Sequence, residues 1–111
     1  MNINQENIIK IFIEKSNKIN NNAFSLTRLL ILALTFYNRN GLQYRELKPL
    51  LNISDGKLKS NLDSLLEMRY IKKIPIVLDQ KKMHIYMITD TGITELKNII
   101  SFFDTIKKLE E

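Results

Sequence analysis

Residues 54–68, SDGKLKSNLDSLLEM, contain six side chains that can donate hydrogen bonds to a polar ligand. The Ser54 hydroxyl can accept a bond from an unpaired backbone amide of a first helical turn, and Asp55 suits the positive end of a helix dipole. The segment is therefore predicted to be a capped helix. Its core stripe, at helical spacing, would be Leu58, Leu62, Leu65 and Leu66.

The opposite face of this helix is polar and, near its N-terminus, basic. Lysine, serine and asparagine side chains can bind base edges and phosphates, so we expect this face to contact a nucleic-acid groove. Asp63 and Glu67 would repel phosphates, which limits the expected contact to the first two turns. An ordinary solvated helix face is the alternative interpretation. The candidates for base or groove contact are Lys57, Ser60, Asn61, Lys59 and Ser64.

Composition favours a polyanionic partner and argues against several kinds of site. The 111 residues suit one domain (1–111), 44% of them are hydrophobic, and the formal net charge is +5. Cysteine is absent and His84 is the only histidine, which excludes disulfides, Cys with His nucleophile pairs and His-rich metal centres. The carboxylates show no paired spacing suited to acid and base catalysis. We therefore expect no enzyme activity, no metal and no cofactor.

The longest mostly apolar run, residues 29–36, is too short to span a bilayer. The N-terminal residues also lack a basic patch followed by an apolar run. We therefore expect a soluble, cytoplasmic protein with no membrane partner.

The elements around this helix are predicted from hydrophobic periodicity. A first amphipathic helix precedes a polar connector at residues 20–22, and Ser25 can cap a second helix. A minimal strand at 42–44 and a short helix at 45–51 follow, with Leu47, Leu50 and Leu51 expected to face inward. The expected core stripe of the second helix is Leu26, Leu29, Leu30, Ala33, Leu34 and Tyr37.

The C-terminal part of the chain is predicted to contain a β-hairpin and a last helix. β-branched residues favour a strand at 70–78, which Pro75 restricts to an edge or bulged position. A polar turn at 79–82 and an alternating strand at 83–89 would complete the hairpin. Thr89 or Thr91 can then cap the last helix.

Five groups of residues open the predicted core helices or flank the hairpin. They are Leu26, Thr27, Arg28 and Leu29; Tyr44, Arg45, Glu46 and Leu47; Ser54, Asp55, Gly56, Lys57 and Leu58; Tyr70 and Ile71; and Ile88, Thr89, Asp90, Thr91 and Gly92. Their order and spacing, over about residues 25–97, resemble the winged helix-turn-helix transcriptional regulators of the MarR and ArsR kind. The small MarR-like group described as a winged-helix DNA-binding domain is the most similar. The family often has glycine where this chain has Arg69, and its wing carries a central arginine that this chain lacks.

The resemblance implies a mainly α chain with a small β-hairpin wing, an α+β winged helix-turn-helix with extra terminal helices. An N-terminal helix and connector (3–22), a winged-helix core (25–92) and a C-terminal dimerisation helix (90–109) would make up the domain. The protein would then be a sequence-specific regulator of transcription that binds double-stranded DNA, and a repressor that occupies a promoter. The helix at 54–68 would lie in the major groove and the wing on the adjacent minor groove or backbone. The implied backbone and wing contacts are Ser54, Arg45, Lys72, Gln80, Lys81 and Lys82.

The terminal helices carry apolar stripes that could pack on the chain's own core or on a second copy. Family analogy favours a homodimer that binds a roughly two-fold symmetric site. The expected interface residues are Ile8, Phe12, Leu96, Ile99, Phe103 and Ile106.

No convergent polar group indicates a small-molecule effector. A winged-helix protein-interaction module in a transcription or assembly complex is the alternative function, because fold alone does not decide between the two.

Overall fold

The computed structural model describes residues 2–109, so residues 1, 110 and 111 of the expected domain lie outside the described part. Within it, five helices and three strands follow each other in the predicted order, and the α+β winged-helix architecture is confirmed. The elements are α1 (Ile3–Ser16), α2 (Leu26–Tyr37), β1 (Leu42–Gln43), α3 (Tyr44–Leu51), α4 (Asp55–Glu67), β2 (Ile71–Leu78), β3 (Lys81–Ile88) and α5 (Asp90–Lys108).

Side-chain caps fix the start of four helices. The Asn2 side chain accepts a hydrogen bond from a first-turn amide of α1 at 2.8 Å, and Thr89 accepts one from α5 at 3.0 Å. Ser25 and Ser54 do the same for α2 and α4, each at 3.2 Å. The predicted caps at Ser25, Ser54 and Thr89 are confirmed, because each satisfies an amide that the first turn leaves unpaired.

The sheet is antiparallel, with β3 between β1 and β2. Pairing of β2 with β3 is continuous from Ile71 opposite Ile88 to Leu78 opposite Lys81, and β2 is an edge strand, as Pro75 predicted. Asp79 and Gln80 alone form the turn, with φ of 51° and 65°. Two residues of positive φ suit the twist of a tight hairpin. The predicted turn at 79–82 is therefore wrong, and Lys81 and Lys82 begin β3.

The core lies where α2, α3 and α4 meet the base of the hairpin. Leu58, Leu62 and Leu65 of α4 are at most 1% exposed, as their spacing predicted. Burying one such side chain stabilises the fold by roughly 1.5–3 kcal/mol. From α3, Leu47 is buried, but Leu50 is 61% exposed, against the prediction. Leu47 and Leu51 share one face at a spacing of four, and Leu50 projects beside it.

The buried face of α2 differs from the predicted stripe. Ile31, Leu32 and Thr35 are buried, whereas Leu26 and Tyr37 are 73% and 87% exposed. A helix that is apolar on nearly every side does not define a unique core face. Thr35 can lie inside because its hydroxyl donates to the carbonyls of Ile31 at 2.8 Å and Leu32 at 3.1 Å.

The backbone is closely packed where α4, β2 and α5 meet. Arg69 has a φ of 63°, a left-handed conformation that glycine adopts at no steric cost. The Thr89 amide donates to the Tyr70 carbonyl at 3.0 Å. A Cβ atom on Gly92 would lie 2.1 Å from that carbonyl oxygen, so only glycine fits without a shift of the backbone.

α1 and the distal half of α5 form an extension that is packed loosely compared with the core. α1 has no buried residue, and its Phe12 ring stacks on Phe102 of α5 at a centroid distance of 4.9 Å. The radius of gyration is 17.0 Å and the longest extent 65 Å. A compact domain of this length would have a radius of about 13 Å. α1 and the distal half of α5 therefore extend away from the core.

Residues 2–109 lack two structural features. No helix in this range has the length and apolar character needed to cross a bilayer. No group of three or more histidine, aspartate or glutamate side chains in the same range could hold a metal ion.

Candidate nucleic-acid interface

The N-terminus of α4 is braced against α3. The Tyr44 hydroxyl donates to the carbonyl and the Oδ1 of Asp55, each at 3.1 Å, and the Lys48 ammonium lies 3.0 Å from the same Oδ1. The hydrogen bond from Lys48, followed by that from Tyr44, lowers the pKa of Asp55 below its ordinary value. The carboxylate at the start of α4 is thus paired within the chain, which reduces the repulsion it would exert on a phosphate.

The polar residues of α4 divide between two flanks, because successive residues are about 100° apart around a helix. Ser60 points outward between the flanks and is exposed. The flank facing α2 carries Lys57, Asn61 and Ser64, and the flank facing the hairpin carries Lys59 and Asp63.

Arg28 of α2 binds the first of these flanks. Its Nε donates to Asn61 Oδ1 at 3.0 Å and its Nη2 to Ser64 Oγ at 3.2 Å, while its Nη1 donates to the carbonyl of Asn22. The Asn61 Nδ2 in turn donates to the Lys57 carbonyl at 2.8 Å. Asn61 and Ser64 are half-buried by these contacts, whereas the other candidates for base contact, Lys57, Lys59 and Ser60, are exposed.

The register of the hairpin places its cations on two different faces. Residues directly opposite each other share a face, and faces alternate along a strand. Ile71 and Ile88 are opposite and buried, so Lys73 and Lys82 lie on the same inner face of the hairpin. Lys72 and Lys81 lie on the outer face. Of the predicted wing contacts, only Lys82 therefore shares the face that turns toward α4.

A cleft of about 450 Å³ separates α4 from this inner face. Its cations are Arg45, Lys59 and Lys73. Lys59 Nζ lies 3.0 Å from Asp63 Oδ2, which raises the pKa of Lys59, and Lys73 Nζ lies 5.9 Å from the centroid of the Tyr86 ring. Cationic groups thus predominate in the cleft. Its lining is Gln43, Tyr44, Arg45, Lys59, Leu62, Asp63, Lys73, Met83, His84 and Tyr86.

Lys73 and His84 are two residues of this cleft that sequence reasoning did not select as contacts. Both are exposed, and each could present a donor to a phosphate. The alternation of faces along a strand could have identified Lys73, because a buried Ile71 places the residue two positions later on the same inner face. Of the other predicted residues, Arg45 lines the cleft and donates from Nε to Gln43 Oε1 at 2.6 Å, Ser54 caps α4, and Gln80 lies in the exposed turn.

The predicted dimer residues occupy two different environments. Leu96 and Ile99 are 5% and 1% exposed, and they pack inside the chain near the base of α5. Ile8 and Phe103 are exposed, and Phe12 and Ile106 are half-buried. The predicted dimer residues that are not buried in the core thus lie on α1 and the distal part of α5. The proximal part of α5 belongs to the core.

Known structures resemble this fold over nearly its whole length. A transcriptional regulator homologue from Pyrococcus horikoshii has 19% identity, a TM-score of 0.68 and coverage of 93% of both chains. S. aureus MepR, solved in complex with DNA, has 17% identity and a TM-score of 0.66, over 96% of this chain and 82% of that one. The adhesin competence repressor AdcR from Streptococcus pyogenes has 14% identity and a TM-score of 0.60, over 99% and 80%. At these identities the similarity concerns the fold.

The family assignment comes from the sequence match. No curated protein matches the chain. The profile of the winged helix DNA-binding domain family matches residues 27–107, from the start of α2 to the end of α5. This match covers most of the chain and includes every element that forms the candidate interface. The chain belongs to the winged helix DNA-binding domain family.

Proposed function

We propose that the protein is a sequence-specific regulator of transcription that binds double-stranded DNA as a dimer and represses by occupying a promoter. The observation that carries the proposal is the cationic cleft between the polar face of α4 and the inner face of the hairpin. A net charge of +5 agrees with a polyanionic partner. A DNA complex of MepR, which has a similar fold, supports a duplex as that partner.

In this proposal α4 enters the major groove through its first two turns. Lys57 and Ser60 are exposed there and can donate to base edges or phosphates. Ser64 and Asn61 border the same surface on the α2 side. Glu67 is exposed and acidic, and it keeps the C-terminal end of α4 away from the DNA backbone.

One sugar-phosphate backbone would pass along the cleft between α4 and the hairpin. Arg45, Lys73 and Lys82 would neutralise its phosphates, with His84 as an additional donor. Lys59 would exchange its partner Asp63 for a phosphate, which costs little because this ion pair is exposed to solvent. The wing would thereby hold α4 at a fixed depth in the groove.

The proposal is tested by fluorescence anisotropy of labelled duplexes selected from a random pool. Affinity should fall steeply with salt, with a log-log slope of about 0.9 per neutralised phosphate. The selected duplexes should bind at least about a thousand times more tightly than unselected ones. Absence of duplex binding at low salt would contradict the proposal and favour the protein-interaction module.

The assignment of the wing is tested by paired substitutions that remove the same charge from neighbouring positions. Lys73→Ala should weaken binding to all duplexes about equally and reduce the salt slope by about one. Lys72→Ala, on the outer face, is the matched control and should have little effect. Lys82→Ala and Lys81→Ala form a second pair. If the two substitutions of each pair reduce the affinity for DNA equally, both faces of the hairpin contact the DNA backbone.

The second copy in the proposed dimer would cover α1 and the distal part of α5. Ile8 is 40% exposed and Phe103 43%, and Phe12 and Ile106 lie beside them, so an apolar surface is available there. Two α4 helices would then meet half-sites roughly 34–36 Å apart. Light scattering at micromolar concentration should give twice the mass of the chain, and Ile8→Glu should give a single-chain mass. A single-chain mass for the unmodified protein would refute the dimer.

A further inference from the structure

Arg28 holds three groups that belong to separate parts of the chain. It is half-buried at the start of α2, and its guanidinium donates to Asn61 and Ser64 on α4 and to the Asn22 carbonyl in the connector between α1 and α2. A planar guanidinium can make these bonds simultaneously from fixed directions. An ammonium on a flexible stem offers a charge without that geometry.

The contact with Arg28 sets the orientation of the Asn61 amide. Asn61 Oδ1 accepts from Arg28 Nε at 3.0 Å, and Asn61 Nδ2 donates to the Lys57 carbonyl at 2.8 Å. A flipped amide would place the Nδ2 donors against Arg28, which has only donors. One N–H and one oxygen lone pair of Asn61 remain. A bidentate contact of an asparagine with adenine uses one amide donor and one amide acceptor.

The connector that Arg28 contacts is also attached to α5. The Asn20 amide donates to Oε1 of the buried Glu95 at 2.8 Å, and Asn20 Nδ2 donates to the Tyr70 hydroxyl at 3.1 Å. Residues 20–22 are thus fixed to the core at one end and to Arg28 at the other. The guanidinium is thereby held in place from the side opposite α4.

We propose that Arg28 is a specificity-positioning residue, which fixes the orientation of Asn61 so that α4 discriminates between base pairs. The inference rests on the proposed function, because it concerns how the same DNA surface selects its site. Arg28 acts through Asn61 and not as a phosphate contact. Its geometry, and not its charge, is therefore the property that matters.

The test compares Arg28→Lys, which keeps the charge and removes the planar geometry, with Arg39→Lys, a matched change outside the interface. Arg39 lies beyond the C-terminus of α2, with its guanidinium 5.4 Å from the centroid of the Phe36 ring. For each variant, anisotropy gives the ratio of affinities for the selected duplex and for single-base-pair variants of it. Arg28→Lys should reduce the largest of these ratios roughly tenfold and leave the salt slope unchanged. Arg39→Lys should keep the affinity ratio and the salt slope of the unmodified protein.

Action through Asn61 is tested by combining substitutions. Asn61→Ala should reduce the same ratio, and adding Arg28→Lys to it should cause no further loss. In ¹⁵N spectra the Asn61 side-chain amide signals, identified by their absence in Asn61→Ala, should move in Arg28→Lys and stay in Arg39→Lys. If Arg28→Lys does not fold, Ser64→Ala removes one acceptor of the guanidinium, and a several-fold loss of preference is expected from it.

The possible outcomes separate this inference from the proposed function. If the unmodified protein prefers the selected duplex and Arg28→Lys keeps that preference, the proposed role of Arg28 is overturned and the proposed function as a regulator stands. If Arg28→Lys weakens binding to all duplexes equally and reduces the salt slope, Arg28 is a phosphate contact. This result would also overturn the inference. If the unmodified protein shows no preference between duplexes, both proposals fail.

Discussion

The winged-helix core and the terminal extension are built from similar apolar residues but differ in what those residues contact. In the core, Leu58, Leu62 and Leu65 are enclosed on all sides by α2, α3 and the hairpin. In the extension, Ile9 and Ile11 of α1 are 45% and 47% exposed. Hydrophobic composition alone therefore does not tell which apolar residues are covered within one chain. The topology decides this, because only the core has elements on every side.

The difference assigns separate roles to the two regions. The core supplies the stability that holds α4 and the hairpin in fixed positions. Its apolar side chains are buried by elements of the same chain. The extension leaves apolar area that a second copy can cover, and within it the Phe12 ring stacks on Phe102. Substitutions that change stability strongly should accordingly lie in the core.

The largest effect is expected for Leu58→Ala, which leaves a cavity in the fully buried centre of the core. The free energy of unfolding should fall by about 2–5 kcal/mol. Leu50→Ala is the matched control, because the same atoms are removed from a side chain that is 61% exposed. Its effect should stay within about 0.5 kcal/mol. Urea unfolding followed by circular dichroism measures both, and equal losses would remove the distinction between enclosed and exposed leucines.

A somewhat smaller effect is expected for Gly92→Ala at the junction of α5 with β2. The added methyl group would lie 2.1 Å from the Tyr70 carbonyl oxygen, so the backbone must shift. Crowding of this kind costs about 1–3 kcal/mol. Gly56→Ala has nothing within 4 Å of the new methyl group and should not destabilise the protein. Thermal unfolding of both variants tests the prediction, which an unchanged melting temperature for Gly92→Ala would contradict.

Loss of a helix cap should matter in the core and little in the extension. Ser54→Ala removes the acceptor for the Lys57 amide and should cost about 0.5–2 kcal/mol of global stability. Asn2→Ala removes the equivalent cap from α1, whose residues are not buried. This change should reduce helical content slightly and leave the main unfolding transition in place. An equal shift of that transition in both variants would show that α1 unfolds together with the core.

The smallest effect is expected from the paired carboxylate of Asp55. Its pKa in the folded protein is lowered by Lys48 and Tyr44, so ionised Asp55 favours the folded state at pH values above its unfolded pKa. This contribution is lost as the pH falls through the lowered value. Asp55→Asn should therefore reduce the melting temperature slightly at neutral pH, and the difference from the unmodified protein should shrink below about pH 4. A difference that is constant down to pH 3 would rule out the ion pair as its source.

Sequence patterns predicted the order of the elements and three of the helix caps, because these depend on local spacing and on hydroxyl acceptors. They failed for α2, where Leu26 and Tyr37 are exposed, since an almost wholly apolar helix does not indicate which side meets the core. They also missed Lys73 as a cleft residue, because alternation places it on the face of Ile71 but does not show that this face meets α4. The contacts of Arg28 with Asn61 join residues 33 positions apart, a relation that no local pattern contains.

The position of β2 at the edge of the sheet has a consequence for the protein in concentrated solution. An exposed edge can pair with a strand of another molecule and start aggregation. Here the edge strand carries Pro75, together with Lys72 and Lys73, and proline and lysine are the residues with which natural edge strands oppose such pairing. The hairpin can thus remain extended and accessible without recruiting other chains into a continuous sheet. Lys73, which we propose contacts a phosphate, is thus also one of the residues that make self-association through the wing unfavourable.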